Sequence, residues 1–200
     1  FTDRDKIPFA RAGLAELMVF SLITFGPAIL LAWLTLSLNW QGPLAVIVWL
    51  AVATFSVCGI LIVWFFRDPT RRIPEGDHLV LSPADGKVVA IDEIEHDDFI
   101  NGPAIQIGIF LSIFNVHINR MPIAGRVIGL KYKPGKYLNA LRPESARENE
   151  QLAIRIEGNN APHRRMVARQ ITGAIARRIV CWLKPGDELA SGEQFGMIKL

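Results

Sequence analysis

LMVFSLITFGPAILLAWLTLSLNWQGPLAVIVWLAVATFSVCGILIVWFF, Leu17 to Phe66, contains no Asp, Glu, Lys or Arg. The 200-residue chain carries 22 Lys and Arg and 19 Asp and Glu, and all but six of these lie at Arg67 or later. A helix that is apolar on every face has no side to show to water, so such a run belongs in lipid or deep in a core. The run divides at Asn39-Trp40-Gln41-Gly42-Pro43, where Gly and Pro break a helix and Asn, Gln and Trp suit an interface. Two transmembrane helices are therefore expected, at about 14–38 and 44–66, each able to cross a hydrocarbon core of ~30 Å. Trp33, Trp49 and Trp64 fall nearer the ends of these spans than their middles. A secretory signal would show one shorter apolar core and a small-residue cleavage site instead.

The flanks set an orientation. Arg4, Lys6 and Arg11 precede the first span, Arg67, Arg71 and Arg72 follow the second, and the turn between them is uncharged. By the positive-inside rule both ends are cytoplasmic, which places the chain beyond Arg72 on the cytoplasmic face of the cell (inner) membrane. The expected division is an anchor over 1–72 and a second domain over 73–200.

Outside the apolar run the composition excludes more than it suggests. The net charge of +3 is scattered, with no basic block interleaved with aromatics, so nucleic acid is not an expected partner. Cys58 and Cys181 are lone and far apart, and no GxGxxG, Walker, CxxC, HExxH or GxSxG motif occurs. No metal site is expected.

From Ile73 onward, short apolar runs are broken by Gly, Pro and Asp. Leu79–Leu81, Val88–Ile91, Ile105–Phe114, Val127–Leu130 and Ala153–Ile156 read as strands, with turns at Pro83-Ala84-Asp85-Gly86 and Pro134-Gly135. Val167 to Ile179 is ambiguous, since its first part alternates like a strand and Ala174–Arg178 suits a helix. Ser145 to Gln151 reads as a mobile loop or a short exposed helix. The expected fold is mainly β. Ser82–Val88 and Lys184–Leu189 resemble the paired turns of the flattened barrel-sandwich of biotinyl and lipoyl carriers, although the modified-lysine hairpin of a carrier is absent.

Two residues stand out chemically. His78, His96 and His163 lie among polar residues and read as solvated surface. His117 instead ends the apolar run Ile105–Val116 within Phe114-Asn115-Val116-His117-Ile118-Asn119-Arg120-Met121-Pro122. Taken alone it reads as a hydrogen-bonded histidine exposed at a strand end, and Asp85 as an ordinary Asp-Gly turn residue.

Together the local motifs resemble those of a family. Phe65–Pro74, Ser82–Val88, Ile113–Pro122, Ile175–Cys181 and Phe195–Leu200 occur in the order and spacing of the short, archaeal-type phosphatidylserine decarboxylases. The resemblance runs from the apolar hairpin to Leu200. It implies a β chain cut from a proenzyme just beyond Leu200, where the family continues into Gly-Ser and that serine becomes a pyruvoyl group heading a partner α chain. It further implies conversion of phosphatidylserine to phosphatidylethanolamine and CO2 through a Schiff base with that pyruvoyl group. By the same resemblance Asp85 and His117 are catalytic, while Asn115 and Arg120 are candidates for substrate binding. Where the longer bacterial class carries a second histidine, this chain has Arg120. Homo-oligomerisation stays open. The competing expectations are a decarboxylase of a related aminophospholipid and a membrane-tethered barrel-sandwich binding module without catalysis.

Overall fold

The computed structural model describes residues 8–76, 78–159 and 164–200, and the chain falls into two compact units, Phe1–Pro69 and Thr70–Leu200. Arg4, Lys6 and His163, all named above, lie outside the described residues.

In the first unit, α1 spans Leu14–Ser37 and α2 spans Gly42–Phe65, joined at Asn39 and Gly42, both of which adopt positive φ. Pro43 stands in the first turn of α2, where its missing N–H costs nothing. Both helices are long and apolar enough to cross a membrane. Their large side chains face outward: Leu22 is 74% exposed, Leu36 70% and Leu50 64%. That exposure is the opposite of a helical hairpin buried in a soluble core. The hydroxyls inside the helices are satisfied locally, Thr24 on Phe20 O, Thr35 on Leu31 O, Thr54 on Leu50 O and Ser56 on Val52 O. Lipid offers no other partner for them. The helices pack closely where Gly59 meets the Phe25 ring, whose Cζ would stand 2.5 Å from an added Cβ. Beyond α2 the chain pairs back on its own start, with Ala10 N donating to Phe66 O and Asp68 N to Pro8 O. Arg67 lies over the Trp64 ring at 4.2 Å and donates to Trp64 O, capping the helix end with a cation.

The second unit is mainly β, curled into a half-barrel as a flattened barrel-sandwich requires. Its strands are β1 Lys87–Asp97, β2 Gly102–Phe110, β3 Ile118–Arg120, β4 Gly125–Lys133, β5 Gln151–Gly158, β6 Arg165–Ile171, β7 Arg178–Cys181, β8 Glu188–Leu189 and β9 Gln194–Lys199. They form a β1-β2 hairpin, a three-stranded sheet β3-β9-β7 and a four-stranded sheet β6-β5-β4-β8, all pairs antiparallel. Met121, Ile123, Val127, Ile154, Ile156, Ala168, Leu183, Leu189 and Phe195 make the core.

Three expectations change in detail. Leu79–Leu81 is not a strand: Leu81 N donates to Pro122 O, but Pro83 has no N–H with which to continue a ladder. The strand read as Ile105–Phe114 ends at Phe110, because the Asn115 side chain turns the chain at Ser112. The segment 172–177 is a turn closed by Gly173 N on Ala176 O, so no helix forms there. Residues 145–148 form a single helical turn, α3, with Ser145 buried.

Candidate active site

Asp85 sits in the bend ahead of β1. Gly86 follows it because a Cβ there would stand 2.5 Å from Phe110 O, so only glycine lets the bend lie against β2. The bend is fastened to the segment that carries His117. Leu81 N donates to Pro122 O (2.8 Å), Arg120 N to Pro83 O (3.0 Å), and Asn119 Nδ2 to the same Pro83 carbonyl (3.4 Å). Two stretches distant in sequence are thereby brought side by side. The Asp85 carboxylate itself is held by Arg71, whose Nε (3.1 Å) and Nη2 both donate to Oδ2. Sequence reasoning missed Arg71 in this role, since nothing local links two residues fourteen apart outside a helix.

His117 immediately precedes β3 and is 4% exposed. The expected exposed strand-end histidine is therefore corrected: Val116, His117, Ile118 and Asn119 are all buried, so both sides of the strand are covered. The cover comes in part from β9, which pairs with β3 in the register Ile118↔Met197 and Asn119↔Gly196, with Ile198 N donating to His117 O. His117 Nδ1 lies 3.0 Å from Asn115 O. A carbonyl can only accept, so Nδ1 carries the proton there and the lone pair of the neutral ring falls on Nε2. A backbone carbonyl thus selects the tautomer.

Asn115 is committed to the turn on one side, its Oδ1 accepting from Ser112 N (2.8 Å) and Ser112 Oγ (2.7 Å). Arg120 is half-buried and donates through Nη1 to Gly192 O (3.2 Å). Ile198, whose N–H bonds His117 O, lies two residues before Leu200, while Asn115 belongs to the turn that precedes β3. β3, β9 and the Pro83–Gly86 bend are thus joined by hydrogen bonds, with His117 beside Ile198 at one end of β3 and Arg120 beside Gln194 at the other. Among the described residues no group of His, Cys, Asp and Glu is arranged to hold a metal. Cys181, on β7, has its thiol pushed up by burial, which keeps it a neutral packing group.

Residues 58–200 match the family model described as phosphatidylserine decarboxylase. The chain is 48% identical over its whole length to a phosphatidylserine decarboxylase proenzyme of Rhodopirellula baltica, covering 77% of that protein. It is 39% identical over 199 residues to the proenzyme of the same description in Syntrophus aciditrophicus, covering 82% of it. A third, from Symbiobacterium thermophilum, is 42% identical over 176 residues, 87% of this chain and 76% of that one. The class so defined is a decarboxylase made as a zymogen, which sets aside the non-catalytic binding module. Within that class, the chain belongs to the phosphatidylserine decarboxylase family.

Proposed function

We propose that this chain is the β part of a self-processing enzyme that removes CO2 from phosphatidylserine to leave phosphatidylethanolamine. The carrying observation is the junction of β9 with the His117 strand. β9 pairs with the His117 strand through Ile198, two residues before Leu200, and this supports a cleavage point close to a buried imidazole whose tautomer is already set. In maturation, a serine hydroxyl just downstream attacks the carbonyl of the residue before it, and His117 Nε2 takes the hydroxyl proton and passes it to the serine nitrogen as the peptide C–N bond gives way to an ester. β-Elimination of that ester releases this chain as a carboxylate, and the dehydroalanine left behind hydrolyses to the pyruvoyl group and ammonia. Asp85 steadies the charge that His117 then carries, which requires its carboxylate to turn from Arg71 toward the ring. Until then Arg71 holds that carboxylate through its two N–H groups.

The pyruvoyl group expected on the α chain supplies a ketone for the substrate amine and a sink for the electrons left by CO2. The donor set here fits it. Along the segment from Asn115 to Arg120, His117 Nε2 can take up a proton and give it back, while the Asn115 amide and the Arg120 guanidinium are donors suited to an anionic headgroup. His117 returns a proton to the substrate carbon once CO2 has left, and Arg120 orients the carboxylate before that. The two apolar helices hold the enzyme at the cytoplasmic face of the inner membrane, where serine headgroups are presented.

The test is direct. The precursor with its natural downstream sequence is purified, its cleavage is followed by mass, and CO2 release is measured on vesicles that contain phosphatidylserine. Borohydride with substrate is expected to fix the lipid amine to the small chain. Label on Lys87 or Lys199 of this chain would falsify the pyruvoyl reading.

A further inference from the structure

Gln170 lies on β6 in the four-stranded sheet, Asn119 on β3 in the three-stranded sheet, and their side chains meet in the interior. Gln170 Nε2 donates to Asn119 Oδ1 at 2.9 Å, with the residues 2% and 5% exposed. Asn119 Nδ2 passes the connection on to Pro83 O at 3.4 Å, beside the Arg120 N–H at 3.0 Å on the same carbonyl. Asp85 stands two residues beyond Pro83, and His117 two residues before Asn119. One chain of hydrogen bonds therefore runs from the far sheet, through the strand of one candidate catalytic residue, to the bend of the other.

Packing alone is a poor reason for this arrangement. Two buried amides lose their hydration, and apolar side chains of similar size would fill the space at lower cost. The cost is not fully offset, because Gln170 Oε1 is buried with no hydrogen-bond partner among the described residues. Strand β9 is also shaped around the pair. At Gly196, which pairs with Asn119, a Cβ would stand 2.8 Å from Gln170 Nε2 and 2.6 Å from Val180 O. The strand leading to Leu200 is bare where the Gln170 amide must pass.

We infer that Gln170 and Asn119 are positioning residues for maturation: they fix the Pro83 carbonyl and so place Asp85 relative to His117. This role rests on the assignment of Asp85 and His117 as the groups that act in cleavage. Neither amide touches the reacting atoms; each acts through the bend.

The experiment follows cleavage of the full precursor in Asn119→Ala, Gln170→Met, Asp85→Glu and the Asn119→Ala/Asp85→Glu double variant, with melting temperature recorded for each. Asp85→Glu keeps the charge but misplaces it. Asn119→Ala is expected to slow cleavage by about 10- to 100-fold and Gln170→Met by about 3- to 10-fold, less than the roughly 100- to 10,000-fold that an acid–base group itself contributes, as suits residues that only position one. Added to Asp85→Glu, Asn119→Ala should slow cleavage by less than about 2-fold more, because residues that act through one another are not additive. A residue needed only for folding would slow both backgrounds equally, and that result overturns the inference. So does normal cleavage by folded Asn119→Ala and Gln170→Met. If Asn119→Ala fails to fold, Gln170→Met, which keeps the shape, is paired with Asp85→Glu and judged by the same additivity. If instead Asp85→Glu and Asp85→Asn both cleave at the normal rate, the assignment of Asp85 itself fails, and the positioning role falls with it.

Discussion

In the helical hairpin, the hydroxyls of Thr24, Thr35, Thr54 and Ser56 each bond to the carbonyl four residues back on the same helix. In the β unit, polar side chains reach across the chain: Arg71 to Asp85, Asn149 to Thr172 O, and Gln170 to Asn119 across 51 positions. The first pattern suits a solvent that offers no partners, where each element must satisfy itself before it meets another. The second suits a site, because groups that must meet at chosen angles are held by separate strands whose register is set independently. Local bonding makes an element that is legible and replaceable. Distant bonding makes chemistry, and makes it fragile.

The sharpest way to break this contrast is at His117. His117→Ala in the precursor is expected to lower the cleavage rate by about 1,000-fold or more, in the range of losing an activating base. The variant should also melt at a lower temperature, since a buried side chain is removed; about 1–3 kcal/mol is typical of such a loss. Asp85→Asn should slow cleavage less, because the Asn115 carbonyl still selects the tautomer. Cleavage at the normal rate by folded His117→Ala would transfer the site elsewhere.

Removing the hairpin tests the other side. A chain beginning at Thr70, with its natural downstream sequence, should still cleave within about 3-fold of the full precursor. Its turnover of phosphatidylserine in vesicles should fall by about 10-fold or more, since tethering raises the local concentration of enzyme at the surface. Loss of cleavage in a folded protein of this kind would mean that the apolar unit takes part in the chemistry.

The same division explains what could be read from the sequence. The helix ends fall within three residues of the expected 14–38 and 44–66, because an uncharged run is a local property. Asp85 and His117 stood out through short motifs, and the structure brings their segments together. The burial of His117 was not legible, since part of its cover is β9, some eighty residues later. Arg71, Asn119 and Gln170 were missed for the same reason. An Arg, an Asn and a Gln are ordinary residues until strand register says what they face. The failed strand at Leu79–Leu81 carried one local signal, Pro83, which could have been weighed against the apolar run.

Two glycines compare the units at equal chemistry. Gly86→Ala places a Cβ 2.5 Å from Phe110 O, a backbone atom with little room to move. Its cost should be about 1–3 kcal/mol, with slower cleavage because the bend that carries Asp85 must shift. Gly59→Ala meets the Phe25 ring at a similar distance, but a ring on a helix surface can turn. It should loosen hairpin packing in detergent melts and leave cleavage unchanged. Equal effects of both on cleavage would erase the distinction between anchor and site.

The smallest effect is expected at Asp97, where a purely local device operates inside the β unit. Its Oδ1 accepts from Phe99 N (2.9 Å) and Ile100 N (3.0 Å), closing the turn between β1 and β2. The Ile100 N–H chiefly holds this carboxyl below its ordinary value of 3.8; burial opposes the shift, and Phe99 N–H, Arg169 and Arg155 reinforce it. A carboxylate whose folded value is depressed contributes stability that is present above pH 3.8 and lost as the pH falls through the lower folded value. Asp97→Asn keeps an acceptor for both N–H groups and removes only the charge, so at pH 7 it should cost no more than about 0.5 kcal/mol in a half-buried surface turn. Asp97→Ala removes the turn bonds as well and should cost about 1 kcal/mol. Thermal melts from pH 7 down to pH 3 should show the gap between the natural protein and Asp97→Asn narrowing, while the gap between Asp97→Asn and Asp97→Ala persists. A first gap independent of pH would mean that the charge contributes nothing and that the turn rests on hydrogen-bond geometry alone, as the hydroxyls of the hairpin do.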